Sequence, residues 1–82
     1  MASLLRPRAA AIRCWKASLA FAERIGNLPM KAEALIGIGD SCSEEEAWER
    51  ARSCYTGAMD VSRLIGHPLS ELQARRGLGV VE

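Results

Sequence analysis

Apolar positions in this chain recur every three or four residues in four segments, with short polar breaks between them. In the first segment Ile12, Trp15, Leu19 and Ala22 follow this spacing, which places them along one side of a helix. The pattern predicts four helices, over residues 9–25, 29–42, 44–65 and 68–81. Because the connections are short, successive helices should pack antiparallel. We therefore expect an all-α fold of antiparallel helical hairpins, with no strands.

The breaks between the segments carry residues that favour helix ends. Gly26 and Gly66 follow the first and third segments, and glycine readily takes the left-handed conformation found just after a helix. Asn27 is placed to cap the second helix. His67 precedes a proline that opens the fourth segment, so we expect it to act in a cap or turn rather than as a metal ligand.

The third helix has a different start signal. Ser43 is followed three positions later by Glu46, the spacing of a capping box, in which the serine hydroxyl and the glutamate carboxylate each accept a backbone N–H bond. The sequence therefore predicts Ser43 as the N-cap of the third helix.

The chain also matches itself, without a gap, at an interval of 40 residues, which we call the repeat offset. The coincident pairs are Ala11/Ala51, Cys14/Cys54, Ile25/Ile65, Gly26/Gly66, Ala34/Ala74, Gly37/Gly77 and Gly39/Gly79. Most of these residues are small, as is required where helices approach closely. A fixed period in this range is typical of repeat arrays, so the pattern favours a surface for partners over a catalytic pocket.

The residues around this interval resemble a tetratricopeptide repeat. Ile38-Gly39 matches the aliphatic–glycine pair of that family's helix A, and Ala51, Tyr55 and Ala58 match the spacing of its helix B. The offset and the segment Ile38-Gly39-Asp40 resemble the subgroup of Leu-Gly-Asn repeat proteins. The resemblance implies a piece of an α-solenoid: a half repeat over 9–26, a whole repeat over 29–66 and a half repeat over 68–82, after a basic segment 1–8 that we expect to be disordered.

The resemblance also has departures. Glu45-Glu46 replaces the Leu-Gly turn between helices A and B, and Cys42 stands where the family usually has tyrosine. Some members hold a C-terminal carboxylate with an asparagine that is replaced here by Gly37 and Gly77. A chaperone-tail clamp is therefore not implied.

In the family, helix A lines a concave groove that receives peptides. Carried over position by position, the resemblance implies a peptide-binding surface made of Glu33, Ile36, Asp40, Gln73, Arg76 and Val80. Asp40 would accept from a peptide N–H, and Arg76 would pair with a carboxylate; the alternative is an ordinary solvated helix surface. The residues implied in packing between repeats are Ala34, Ile38, Gly39, Trp48, Ala51, Tyr55, Ala58, Ala74, Leu78 and Gly79.

Composition narrows the function further. A net charge of +1 gives no basis for nucleic-acid binding, and no apolar stretch approaches the roughly 20 residues of a membrane span. The three cysteines are widely spaced; we interpret them as reduced thiols, with Cys14 and Cys54 as small buried hydrophobes rather than metal ligands. With one histidine and no phosphate-binding glycine loop, we expect no catalytic residues, metal or cofactor.

The sequence thus predicts a non-catalytic protein–protein interaction module of the cytoplasm, an adaptor or scaffold segment that binds partner peptides through its helix A surface. We also expect the chain alone either to melt at low temperature or to self-associate through its unpaired terminal helices, because solenoids need about three repeats to bury a continuous core. The alternative rests on residues 1–22, which are basic and free of acid, like a mitochondrial transit peptide. It predicts a mitochondrially imported helical subunit with a structural role only.

Overall fold

The computed structural model describes residues 7–81, and within them it contains helices and turns but no strand. The four helices are α1 (Pro7–Ile25), α2 (Leu28–Glu44), α3 (Trp48–Ile65) and α4 (Pro68–Val81). The predicted all-α fold is confirmed. Most of the segment expected to be disordered lies outside the described residues, whereas Pro7 and Arg8 already belong to α1.

Each helix packs against the next one in the chain, and the stack is curved. In the described part of the chain, the backbone of α2 also approaches that of α4, whereas the backbones of α1 and α3 stay farther apart. The stack therefore bends toward the side on which α2 and α4 meet. This geometry makes α2 and α4 the lining of a concave surface and leaves α1 and α3 on the convex side.

The three turns lie 20 residues apart and close in the same way. Gly26, Glu46 and Gly66 all adopt left-handed backbone conformations, with φ angles of 71°, 61° and 65°. After each of them the next N–H donates to a carbonyl five residues earlier, as in the Asn27 to Ala22 bond of 2.8 Å. This is the Schellman arrangement, which satisfies carbonyl groups at a helix C-terminus.

The predicted capping box at Ser43 is wrong. Helix α2 continues through Ser43 to Glu44, and the N-cap of α3 is Ala47, which makes no side-chain cap bond. The carbonyl of Ser43 instead accepts the N–H of Glu46 at 3.0 Å. The C-terminal turn of α2 thus uses the residues that the capping box would need, because Ser43 cannot lie inside α2 and also be the N-cap of α3.

The other two caps are confirmed. The Asn27 side chain accepts from the N–H of Met30 at 3.1 Å. Nδ1 of His67 accepts from the N–H of Ser70 at 3.2 Å, so the single histidine caps α4.

The core consists mainly of small side chains around one tyrosine. Of the residues implied in repeat packing, those that are buried are Ala34, Ile38, Gly39, Ala51, Tyr55, Ala58 and Ala74, and Leu78 is partly buried. Trp48 and Gly79 differ from that expectation. Trp48 is the first residue of α3 and remains 43% exposed, and no described helix covers the side of α4 that carries Gly79.

Candidate functional site

Two aromatic rings lie on two glycines, and these contacts repeat along the chain. A Cβ atom added at Gly37 would lie 2.2 Å from the Trp15 ring, and one added at Gly77 would lie 2.3 Å from the Tyr55 ring. Both the two rings and the two glycines are separated by the repeat offset. The sequence repeat is therefore also a repeat of contacts: α1 packs on α2 as α3 packs on α4. The match of Trp15 with Tyr55 is one of residue class rather than identity, so comparison of identical residues missed it.

Tyr55 contacts α2 as well as α4. Its ring lies within 2.8 Å of a Cβ position at Gly39, so it is enclosed by glycines of both α2 and α4. Its hydroxyl donates to the carboxylate of Asp40. Burial, followed by this hydrogen bond, raises the pKa of Tyr55 above its ordinary value. The tyrosine thus fixes the relative position of α2 and α4 and holds Asp40 in place.

The exposed sides of α2 and α4 enclose a groove of about 550 Å³, which we call the α2–α4 groove. It is lined by Ile36, Asp40, Ser43, Glu44, Tyr55, Gln73, Arg76 and Gly77. A neighbouring hollow of about 270 Å³ shares Ile36, Asp40 and Gln73 with it and reaches Glu33. The structure therefore brings Glu33, Ile36, Asp40, Gln73 and Arg76 together on one surface. The side chain of Val80, the sixth expected residue, lies outside the described part.

The two walls of the groove differ in charge. The α2 wall carries Asp40 and Glu44, with Glu33 beside the neighbouring hollow, whereas the α4 wall carries Gln73 and Arg76. Glu44 was missed by sequence reasoning because α2 was expected to end two residues earlier. Among the ion pairs of the described residues, none involves the Arg76 guanidinium. An acidic wall faces a wall that carries an exposed cation.

Ion pairs link successive helices near two of the turns. Glu23 of α1 pairs with Lys31 of α2 at 3.5 Å, and Arg63 of α3 pairs with Glu71 of α4 at 3.0 Å. The repeat offset relates Glu23 to Arg63 and Lys31 to Glu71, so the second pair occupies the positions of the first with the charges exchanged. Glu71 also accepts from Arg75 at 3.1 Å.

The cysteines differ in their surroundings. Cys42 is buried and Cys54 is partly buried, and burial, together with the neighbouring Cys42, raises the pKa of the Cys54 thiol. Cys14 is exposed, so the expectation that it is buried is wrong. It lies on a side of α1 that no described helix covers, whereas Cys54 packs near α2.

Residues 7–81 contain no cluster of His, Cys, Asp and Glu with the geometry of a metal site. None of the four described helices combines the length and hydropathy needed to cross a membrane. Comparison with family models, with curated proteins and with solved structures gives no match.

Proposed function

We propose that this chain is a tetratricopeptide-type repeat segment that acts as a non-catalytic protein–protein interaction module. In this proposal it binds a partner peptide in the α2–α4 groove. The observation that carries the proposal is the convergence of five expected helix A residues, from positions far apart in the sequence, on one continuous concave surface.

The repeated ring-on-glycine contacts support the repeat assignment. In a solenoid each helical hairpin packs on the next through equivalent residues. Trp15 on Gly37 and Tyr55 on Gly77 satisfy this condition at the repeat offset.

The groove has the features that a peptide site needs. Ile36 and Gly77 contribute an apolar surface without a bulky side chain at Gly77, and polar groups lie on both walls. The Tyr55 hydroxyl engages one oxygen of Asp40 and so orients the carboxylate, whose second oxygen can accept from a peptide N–H. Arg76 offers a planar donor fork for a peptide carboxylate, a pairing stronger than a hydrogen bond between neutral groups. The preferred ligand is a peptide that carries an acidic side chain beside Arg76.

The test is selection from a random peptide library displayed on phage, followed by fluorescence anisotropy with the selected peptides. We expect peptides with an acidic residue at a fixed position. Arg76→Glu should weaken their binding about tenfold or more, since a hydrogen bond to a charged group contributes roughly 1.5–3 kcal/mol.

Arg52→Glu is the matched control, because Arg52 is also exposed but lies on α3 outside the groove lining. It should leave affinity unchanged. A library without binders, or peptides that bind equally to the Arg76→Glu chain, would contradict the proposed function.

The alternative of an imported structural subunit is tested by localisation. Arg13 and Lys16 are exposed on α1, and no acid occurs before Glu23. If this stretch directs import, a tagged chain will be mitochondrial, and replacing Arg6, Arg8 and Arg13 with glutamate will abolish that signal. Diffuse signal from both chains favours the cytoplasmic adaptor.

A further inference from the structure

The outward side of α1 corresponds to a side of α3 that is covered within the chain. Cys54, Gly57, Val61 and Ile65 follow three- and four-residue steps along α3 and are all partly buried. A Cβ atom added at Gly57 would lie 3.4 Å from Leu35, so this side of α3 meets α2. The repeat offset relates these positions to an exposed stripe on α1, the α1 outer face, which consists of Cys14, Ala17, Phe21 and Ile25.

The outward side of α4 corresponds in the same way to a covered side of α2. Ala32 and Gly39 are buried, and Leu35 is partly buried against α3. The repeat offset relates them to Leu72, Arg75 and Gly79, all exposed, which form the α4 outer face. Leu72 is 49% exposed where its counterpart Ala32 is 0% exposed.

The two outer faces are therefore counterparts of two surfaces that already pack together as α2 and α3. We propose that α4 of one copy packs against α1 of a second copy and reproduces the contact between α2 and α3. The occupant of each outer face is thus another molecule of the same chain. A half repeat at one end and a half repeat at the other then form one whole repeat.

A specific contact supports this register. The Tyr55 ring is enclosed by Gly39 and Gly77 and is only 2% exposed. Its counterpart Trp15 has one glycine contact, with Gly37, and is only partly buried. Gly79, the counterpart of Gly39, has nothing within 4 Å of its Cβ position. In the proposed assembly Gly79 of one copy covers the second side of Trp15 of the next.

Arg75 is the residue that departs most from its counterpart, since Leu35 occupies the equivalent place on α2. Its guanidinium bonds to Glu71 one turn earlier at 3.1 Å, which directs the charge along the helix surface. On the opposing copy it would meet Ala17, which leaves room for its aliphatic stem, and long basic side chains readily pack in this way.

The assembly is head-to-tail, so its two contacting surfaces are different. Such a heterologous contact grows without limit unless it closes into a ring. It would also extend the concave side, because α2 and α4 of successive copies would follow one another. Assembly needs no peptide and is therefore tested independently of the proposed function.

The test is sedimentation velocity of the whole chain from low micromolar to near-millimolar concentration, with reductant present so that Cys14 cannot form an intermolecular disulfide. The wild-type chain should sediment faster as concentration rises, beyond the value of a dimer. Phe21→Glu and Leu72→Glu, one on each outer face, should each be monomeric. Leu64→Glu is the control, because Leu64 is 75% exposed and lies on neither outer face, and it should assemble like the wild type.

Mixing the two monomeric variants decides the arrangement. Each retains one intact outer face, so an equimolar mixture should form dimers and nothing larger. A wild-type chain that stays monomeric at every concentration would overturn the proposal. So would a mixture that forms no dimer, or assembly that only one of the two variants abolishes, since that indicates a contact between like faces. Circular dichroism of each variant establishes that it is folded.

Discussion

Two glycines in α4, separated by one residue, should respond in opposite directions to the same substitution. Gly77 lies under the Tyr55 ring, with 2.3 Å between the ring and an added Cβ atom, whereas Gly79 has open space around it. Alanine in place of glycine favours a helix interior by about 1 kcal/mol. Gly79→Ala should receive about half of this, since it lies in the last turn, where helices fray.

At Gly77 the same gain is outweighed by overpacking. The Tyr55 ring cannot move away, because its other side lies 2.8 Å from a Cβ position at Gly39 and Asp40 accepts its hydroxyl. Overpacking a tightly packed site costs about 1–3 kcal/mol. After the helix gain of about 1 kcal/mol is subtracted, Gly77→Ala should be destabilised by up to about 2 kcal/mol. Gly37→Ala should destabilise the fold less than Gly77→Ala, because Trp15 is only partly buried and can move toward solvent.

The assay is thermal unfolding by circular dichroism at low concentration, where copies do not associate. For a domain of this size each kcal/mol corresponds to roughly 4–8 °C in Tm. Gly77→Ala should therefore melt several degrees below the wild type, and Gly79→Ala a few degrees above it. If Gly77→Ala melts at or above the temperature of Gly79→Ala, the Tyr55 ring does not pack on Gly77, and the contacts do not repeat along the chain as described.

Tyr55, Glu46 and Cys14 each provide a separate test of the structure. Because the pKa of Tyr55 is raised in the folded protein, its neutral form stabilises the fold. This contribution is complete below pH about 10, the pKa of an unperturbed tyrosine. It is lost as the pH rises from there through the raised pKa of the folded protein. The chain has one tyrosine, so tyrosinate absorbance reports on Tyr55 alone and should appear at higher pH in the folded than in the unfolded protein. Tyr55→Phe should remove this part of the alkaline destabilisation. Titrations that coincide in the folded and unfolded protein would contradict the prediction. Glu46 has a φ of 61°, so Glu46→Gly should stabilise the chain by about 1 kcal/mol in urea unfolding, and a loss would show that the turn needs the side chain. Iodoacetamide should label the exposed Cys14 quickly and the buried Cys42 only on unfolding; equal rates in the folded protein would disprove the burial pattern.

Local patterns predicted the helices and most of their ends. Apolar spacing located all four helices, and Gly26 and Asn27 marked a turn, because these signals act within a few residues. The turn at Glu46 could not be found in this way, since a glutamate with positive φ is uncommon and the segment also carries a plausible capping box. Its position depends on whether residues 43–46 end α2 or begin α3.

The sequence predicted residues of the groove but not the contacts that hold them in place. The family resemblance led to Asp40 and Arg76, which the structure brings to the same groove. It did not indicate the Tyr55–Asp40 bond, which depends on how two helices meet. The exposure of Cys14 and Gly79 was missed for a related reason: burial depends on which helix lies opposite, and a repeat pattern assigns the same burial to every copy of a position.

The exchanged charges of the two interhelical ion pairs distinguish between otherwise similar ways of folding. Repeats with equivalent surfaces can pair in the wrong order, a common route to misfolding in repeat proteins. If α1 packed on α4 as it packs on α2, Glu23 would face Glu71; if α3 packed on α2 as it packs on α4, Arg63 would face Lys31. Each exposed pair stabilises by only about 0.2–1 kcal/mol, and like charges oppose by similar amounts. Replacing two attractions with two repulsions nevertheless separates the correct helix order from the exchanged one by on the order of 1–3 kcal/mol. These weak ion pairs therefore contribute more to selecting the order of the helices than to stabilising the fold.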